Sequence, residues 1–123
     1  MKLRIQINDI SLQVACRDTP TAKSIFNSLP IESKAQTWGD ETYFSIPVVA
    51  ELEPDAKDVI NAGEMAFWVE GSCIAIGFGP TPISQGDEIR LAARTNIWGD
   101  TNNDVKQLTN VKAGDKVIIV AVD

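Results

Sequence analysis

The chain contains no histidine. A serine or cysteine nucleophile therefore lacks its usual base, and the commonest zinc shells lose their main ligand. Chemistry would have to come from carboxylates, arginines and aromatic rings. Among the carboxylates, Glu64 stands out because it sits between Gly63 and a strongly apolar stretch. Partial burial there would raise its pKa, although a strand-edge carboxylate bonded to backbone amides accounts for it equally well. Glu51 and Glu53, like Asp87 and Glu88, are read as solvated surface. The DTNND run at 100–104 offers oxygen ligands but lacks the glycine and terminal glutamate of a calcium loop. GFGPTP at 77–82 lacks the lysine and spacing of a phosphate loop, and its prolines remove backbone donors. No metal or cofactor is expected. Arg90 and Arg94 are four apart and share a face of a regular strand, where an arginine beside rings can bind a carbonyl or carboxylate. The plainer reading is a surface arginine with a buried stem.

The aromatic residues concentrate in two segments, TWGDETYFS at 37–45 and GEMAFWVEGSCIAIGFGPTPIS at 63–84. Many of these rings are expected to build a β core. Side chains alternate along a strand, so Phe67 and Trp68 must face opposite sides, as must Tyr43 and Phe44. One ring of each pair faces the core, and the other faces solvent, a second layer or a groove. The residues put forward to line such a groove are Trp38, Tyr43, Phe44, Trp68 and Phe78, with Glu64, Thr81, Arg94 and Asn96 as polar contacts. Trp98 is a further candidate at a strand end.

The surrounding elements read as β. Residues 2–7 alternate, Asn8-Asp9 turns, and Ile10, Leu12 and Val14 resume the alternation, which predicts a hairpin over 1–16. Thr19 caps a helix with Pro20 at its first position; Ala22, Ile25, Phe26 and Leu29 give it one apolar face, and Pro30 helps to stop it. Further strands are expected around 33–38, 42–49, 64–69, 73–78, 91–97 and 116–122. The AKDVI centre of the polar segment 51–63 suggests one helical turn, and 101–114 a loop with another. About eight short strands and one good helix predict a single mainly-β domain over 1–123, a barrel or sandwich.

Length suits one core. A net charge of −6 with scattered Lys and Arg argues against a nucleic-acid partner. MKLRIQIND does not read as a signal peptide, and no stretch approaches the ~20 apolar residues of a membrane span. A cytoplasmic protein without a membrane partner is expected, with Cys16 and Cys73 reduced and buried.

TWGDETYFS, GEMAFW and GFGPTPIS, in that order and followed by Asn96 and Gly99, resemble a small prokaryotic family with a cyclophilin-like fold. The resemblance spans nearly the whole chain. It implies a closed eight-stranded β-barrel with one or two short capping helices. It departs from the family pattern after Trp68, where Val69-Glu70-Gly71 replaces an expected Pro-Pro-Gly turn. The best-known cyclophilins are peptidyl-prolyl isomerases, but their F-H-R strand and later histidine-bearing segment are missing here. Two functions follow as expectations. The preferred one is a non-catalytic or weakly active module holding a peptide or small ligand in an aromatic groove. The alternative is proline isomerisation by desolvation and hydrogen bonding, with Phe44, Trp68 and Phe78 as pocket and Arg94 or Asn96 as donor. An enzyme of another class, using Glu64 and Tyr43 in the barrel mouth, is a third possibility resting on residue type alone.

Overall fold

The structure, a computed structural model, describes residues 1–122. Its strands are β1 Lys2–Ile7, β2 Ile10–Cys16, β3 Ile31–Lys34, β4 Gln36–Thr37, β5 Glu41–Ser45, β6 Lys57–Ile60, β7 Glu64–Trp68, β8 Cys73–Gly77, β9 Ile89–Thr101 and β10 Lys116–Val122. Nine of them form one antiparallel sheet in the order β3-β10-β1-β2-β9-β7-β8-β5-β4, while β6 pairs with β9 off this path. The two edge strands, β3 and β4, are consecutive in the chain, with Ala35 alone between them. The chain thus crosses its own seam at Ala35, which is fully buried. Ser33 Oγ donates to the Ser45 carbonyl at 2.6 Å across the same seam. The result is a nearly closed barrel, which manages the exposed-edge problem by wrapping.

Alternation fills the interior. Leu3, Ile5 and Ile7 of β1, Leu12 and Val14 of β2, Phe44 of β5, Met65 and Phe67 of β7, and Ile74 and Ile76 of β8 join one buried cluster. In β9 a register shift opposite Met65 and Ala66 admits an extra residue. This bulge turns Trp98 into the same core, where its Nε1 donates to the Ala66 carbonyl at 3.2 Å.

Helix α1, Pro20–Asn27, begins where the sequence predicts: Thr19 Oγ1 accepts from the Ala22 amide at 3.1 Å. It buries Ala22 and Ile25 against β2 and β9. A second cap, the 3-10 turn Val105–Asn110, adds Val105 and Leu108 to the core.

Segment 57–60 is a strand where one helical turn was expected. Its backbone partner is β9, with Val59 opposite Arg90 and Ile60 opposite Ile89. This pairing builds a second, outer core: Ile60, Ala66, Ala75, Ile89, Leu91 and Ile97, with Tyr43 packed beside it. The β5-β8-β7-β9 wall is therefore apolar on both faces, and what lies on its outer face is not ordinary surface.

Candidate functional site

The outer face of that wall holds a pocket of about 220 Å³. Its first side is the β4–β5 hairpin. Trp38, Gly39 and Asp40 form the turn, with Gly39 at φ +57°, and the Trp38 amide donates to the Glu41 carbonyl at 3.0 Å. A Cβ on Gly39 would lie 2.8 Å from Pro82 Cδ, so glycine is needed for conformation and for space. The turn is held by the proline-rich loop: the Asp40 amide donates to the Pro80 carbonyl at 3.1 Å and the Phe78 amide to the Asp40 carbonyl at 2.8 Å. The two glycine-bearing motifs therefore form one folded unit.

Beyond the turn, alternation sends Thr42 and Phe44 inward and leaves Glu41 and Tyr43 facing out. Tyr43 pairs with Ala75, and Ser45 with Cys73. Cys73 in turn pairs with Trp68 of β7. On the far side β9 contributes Leu91 and Ala93, within the stretch where its register slips against β6. The lining is thus three rings (Trp38, Tyr43 and Trp68) and small or aliphatic side chains around one acid, Glu41. Tyr43 and Cys73 also line a neighbouring depression that runs towards Lys34 and Lys116, so the pocket continues as a trough.

Glu41 dominates the electrostatics of the site. The residue is 7% exposed, and its Oε1 has no hydrogen-bond partner among the described residues. Burial pushes its pKa up to about 7. The Cys73 thiol is also pushed up, first by burial and then by the Glu41 charge. Its Sγ lies 3.3 Å from the Gly71 carbonyl, to which it donates. A thiol so placed is a poor nucleophile.

The nine residues put forward from sequence separate clearly. Trp38, Tyr43 and Trp68 converge on the pocket. Phe44 and Phe78 belong to the barrel core, on the other side of the wall. Asn96 is fully buried. Its Nδ2 donates to Thr21 Oγ1 at 2.9 Å and the Glu51 carbonyl at 2.8 Å, and its Oδ1 accepts from the Glu53 amide at 2.8 Å. Thr81 Oγ1 donates to the Arg90 carbonyl and its amide to Ser84 Oγ at 2.9 Å, so it clamps the proline-rich loop. Arg94 is exposed and donates through Nε to the Ala56 carbonyl at 3.3 Å, outside the pocket lining. The other possible donor of an isomerase site, Asn96, lies inside the barrel.

At Glu64 the structure favours the second of the two readings, a strand-edge carboxylate bonded to a backbone amide, over a raised pKa. Burial alone would raise it, but the Asn61 amide at 2.7 Å, Lys57 at 2.8 Å and Arg17 at 3.1 Å outweigh burial and hold it below the usual range. It is an ion-paired structural group. The residue with the raised pKa is Glu41, which sequence reasoning passed over. Its signal was present: counting back two from Tyr43 along the strand puts Glu41 on the same outward face.

Comparison with known proteins agrees with this architecture. The family described as Cyclophilin-like matches residues 1–120. The chain belongs to the cyclophilin-like family. The solution structure of the hypothetical protein AF2241 from Archaeoglobus fulgidus is similar to it, with 36% identity, a TM-score of 0.84, and coverage of 99% of this chain and 95% of that one. No curated protein matches the chain. Among the described residues of this cyclophilin-like chain, no group of three or more metal-ligating side chains occurs and no helix is long and apolar enough to cross a membrane. Cys16 and Cys73 are both unpaired; Cys73 is buried as expected, whereas Cys16 is half-buried.

Proposed function

We propose that this cyclophilin-like barrel is a binding module, non-catalytic or weakly active, that takes a small ligand or a peptide side chain into the outer-face pocket between Trp38, Tyr43 and Trp68. The observation that carries the reading is the convergence of these three rings on one concave patch around a buried acid. Small-molecule sites have this build: mostly apolar walls with few polar groups that fix orientation. The trough leading on towards Lys34 and Lys116 gives an extended ligand room to continue. Unpaired cysteines and a net charge of −6 suit a cytoplasmic module whose partners are neither membranes nor nucleic acids.

The non-catalytic reading is favoured over proline isomerisation because the residues that would serve as isomerase pocket and donor stand on different sides of the sheet wall. Phe44, Phe78 and Asn96 lie inside, and Trp68 lies outside. Two measurements test the proposal. Cyclohexylmethanol, a neutral apolar probe, is expected to shift the NMR indole signals of Trp38 and Trp68 and leave that of buried Trp98 in place. A protease-coupled assay on an Xaa-Pro peptide is expected to show little or no acceleration. Unmoved Trp38 and Trp68 signals would remove the pocket, and strong acceleration that Arg94→Ala abolishes would favour the isomerase.

A further inference from the structure

The pocket is incomplete in one chemical respect. Glu41 Oε1 is buried without a partner, in a residue 93% withdrawn from water, and no lysine or arginine lines the pocket to neutralise it. The titratable groups that face it are Tyr43 on its own strand and Cys73 on β8, whose thiol is turned to the Gly71 carbonyl. Asp40 precedes it, with its carboxylate packed against Gly79. None of these supplies a positive charge. A buried acceptor left unmade is costly, and a buried charge more so. In the empty pocket the carboxyl relieves its charge by holding a proton, and an occupant that brings a donor and a positive charge relieves both costs in the ionised form.

Three aromatic rings border the same space. The faces of tryptophan and tyrosine rings carry negative potential and attract cations. An anion would meet both the acid and the rings unfavourably. A neutral alcohol would donate to the carboxylate and leave its charge uncompensated. A quaternary ammonium would suit the rings yet offers no hydrogen to the carboxylate.

Taking the pocket as the ligand site proposed above, we infer that it selects an alkylammonium group bearing at least one N–H, which donates to the Glu41 carboxylate while its hydrocarbon part lies against Ala75, Leu91 and the rings. A free amine terminus, a lysine-like side chain or a small aliphatic amine each presents this chemistry. Because Glu41 titrates near neutrality when the pocket is empty, binding of the cation draws off its proton, and affinity increases as pH rises through that range.

The test compares two isosteric probes, cyclohexylmethylammonium chloride and cyclohexylmethanol, by the indole signals of Trp38 and Trp68 at pH 8.5 and matched ionic strength. The ammonium is expected to bind at least tenfold more tightly than the alcohol. That advantage is expected to fall below twofold in Glu41→Gln and, in the unaltered protein, at pH 5.5. An unchanged Trp98 signal certifies the fold of the variant, and if it does not fold the pH 5.5 comparison decides. Equal binding of ammonium and alcohol, with both shifting Trp38 and Trp68, overturns the amine selectivity and leaves the pocket standing. Tetramethylammonium binding as tightly as cyclohexylmethylammonium overturns the N–H requirement. Silence of Trp38 and Trp68 towards both probes removes the pocket itself, and the inference with it.

Discussion

The indole of Trp68 lies directly over Gly71, so closely that a Cβ at residue 71 would fall inside the van der Waals envelope of the ring. The turn after β7 thus serves as a seat for one wall of the pocket. Gly71 does not have the positive φ that alone would demand glycine. An alanine there meets no backbone strain and even restricts the unfolded chain. Gly71→Ala should therefore change overall stability by no more than about 1 kcal/mol, as read by urea unfolding. It should still swing Trp68 off its seat. The expected readouts are a displaced Trp68 indole signal and weaker binding of cyclohexylmethanol. A variant that binds as before with Trp68 unmoved would show that the wall does not depend on this contact.

Two glutamates give the protein opposite responses to pH. The folded-state pKa of Glu41 is raised from 4.5 to about 7, so the folded protein holds a proton that the unfolded chain releases. Its contribution is fully present below pH 4.5 and is lost as pH rises through about 7, by up to about 3 kcal/mol. Glu64 is held low by Asn61, Lys57 and Arg17 against the effect of burial, so its contribution is present above its unfolded pKa and is lost as pH falls through the folded one. Urea midpoints measured across pH should accordingly flatten between pH 5 and 8 in Glu41→Gln. In Glu64→Gln they should flatten on the acid side. Glu64→Gln should also be the less stable variant at pH 7, since it leaves Lys57 without its carboxylate while Arg17 keeps Asp100 at 2.8 Å. A neutral-range slope that survives in Glu41→Gln would place the titrating group elsewhere.

The ribbon architecture was legible because most strands have a local signature. The alternation in β1, β2 and β10 and the Thr19-Pro20 start of α1 each follow from neighbouring residues. Segment 57–60 was not legible, since AKDVI has no strand pattern of its own and is extended only because β9 offers a ladder to it. Closure at Ala35 is likewise a long-range fact: nothing in ESKAQT announces that the chain passes from one edge of the sheet to the other. The site was half legible. Alternation separated Tyr43 from Phe44, but which of the two faced out depended on the outer core that β6 creates. Glu64 looked promising because the cations that neutralise it, Arg17 and Lys57, are distant or across a turn in sequence. Glu41 looked ordinary because the ring-lined burial that perturbs it is assembled from four strands.

Asn96 and Arg94 lie two residues apart on β9 and offer a direct test of what position on the wall means. Asn96 faces in, and its carboxamide holds Thr21 at the start of α1 together with Glu51 and Glu53 of the long connection before β6. Removing it leaves the Glu53 amide and the Glu51 carbonyl without their partner, while Thr21 Oγ1 keeps its bond to Glu53 Oε2 at 2.5 Å. Asn96→Ala should cost about 2–4 kcal/mol of stability, seen as a lowered urea midpoint. Arg94 is exposed and holds one carbonyl, that of Ala56, at 3.3 Å. Arg94→Ala should stay within about 0.5 kcal/mol of the parent, and it should leave the binding of cyclohexylmethanol unchanged. If Arg94→Ala instead abolished probe binding while stability held, the ligand would have to touch Arg94 itself, which lies outside the lining that Leu91, Ala92, Ala93 and Thr95 contribute from β9.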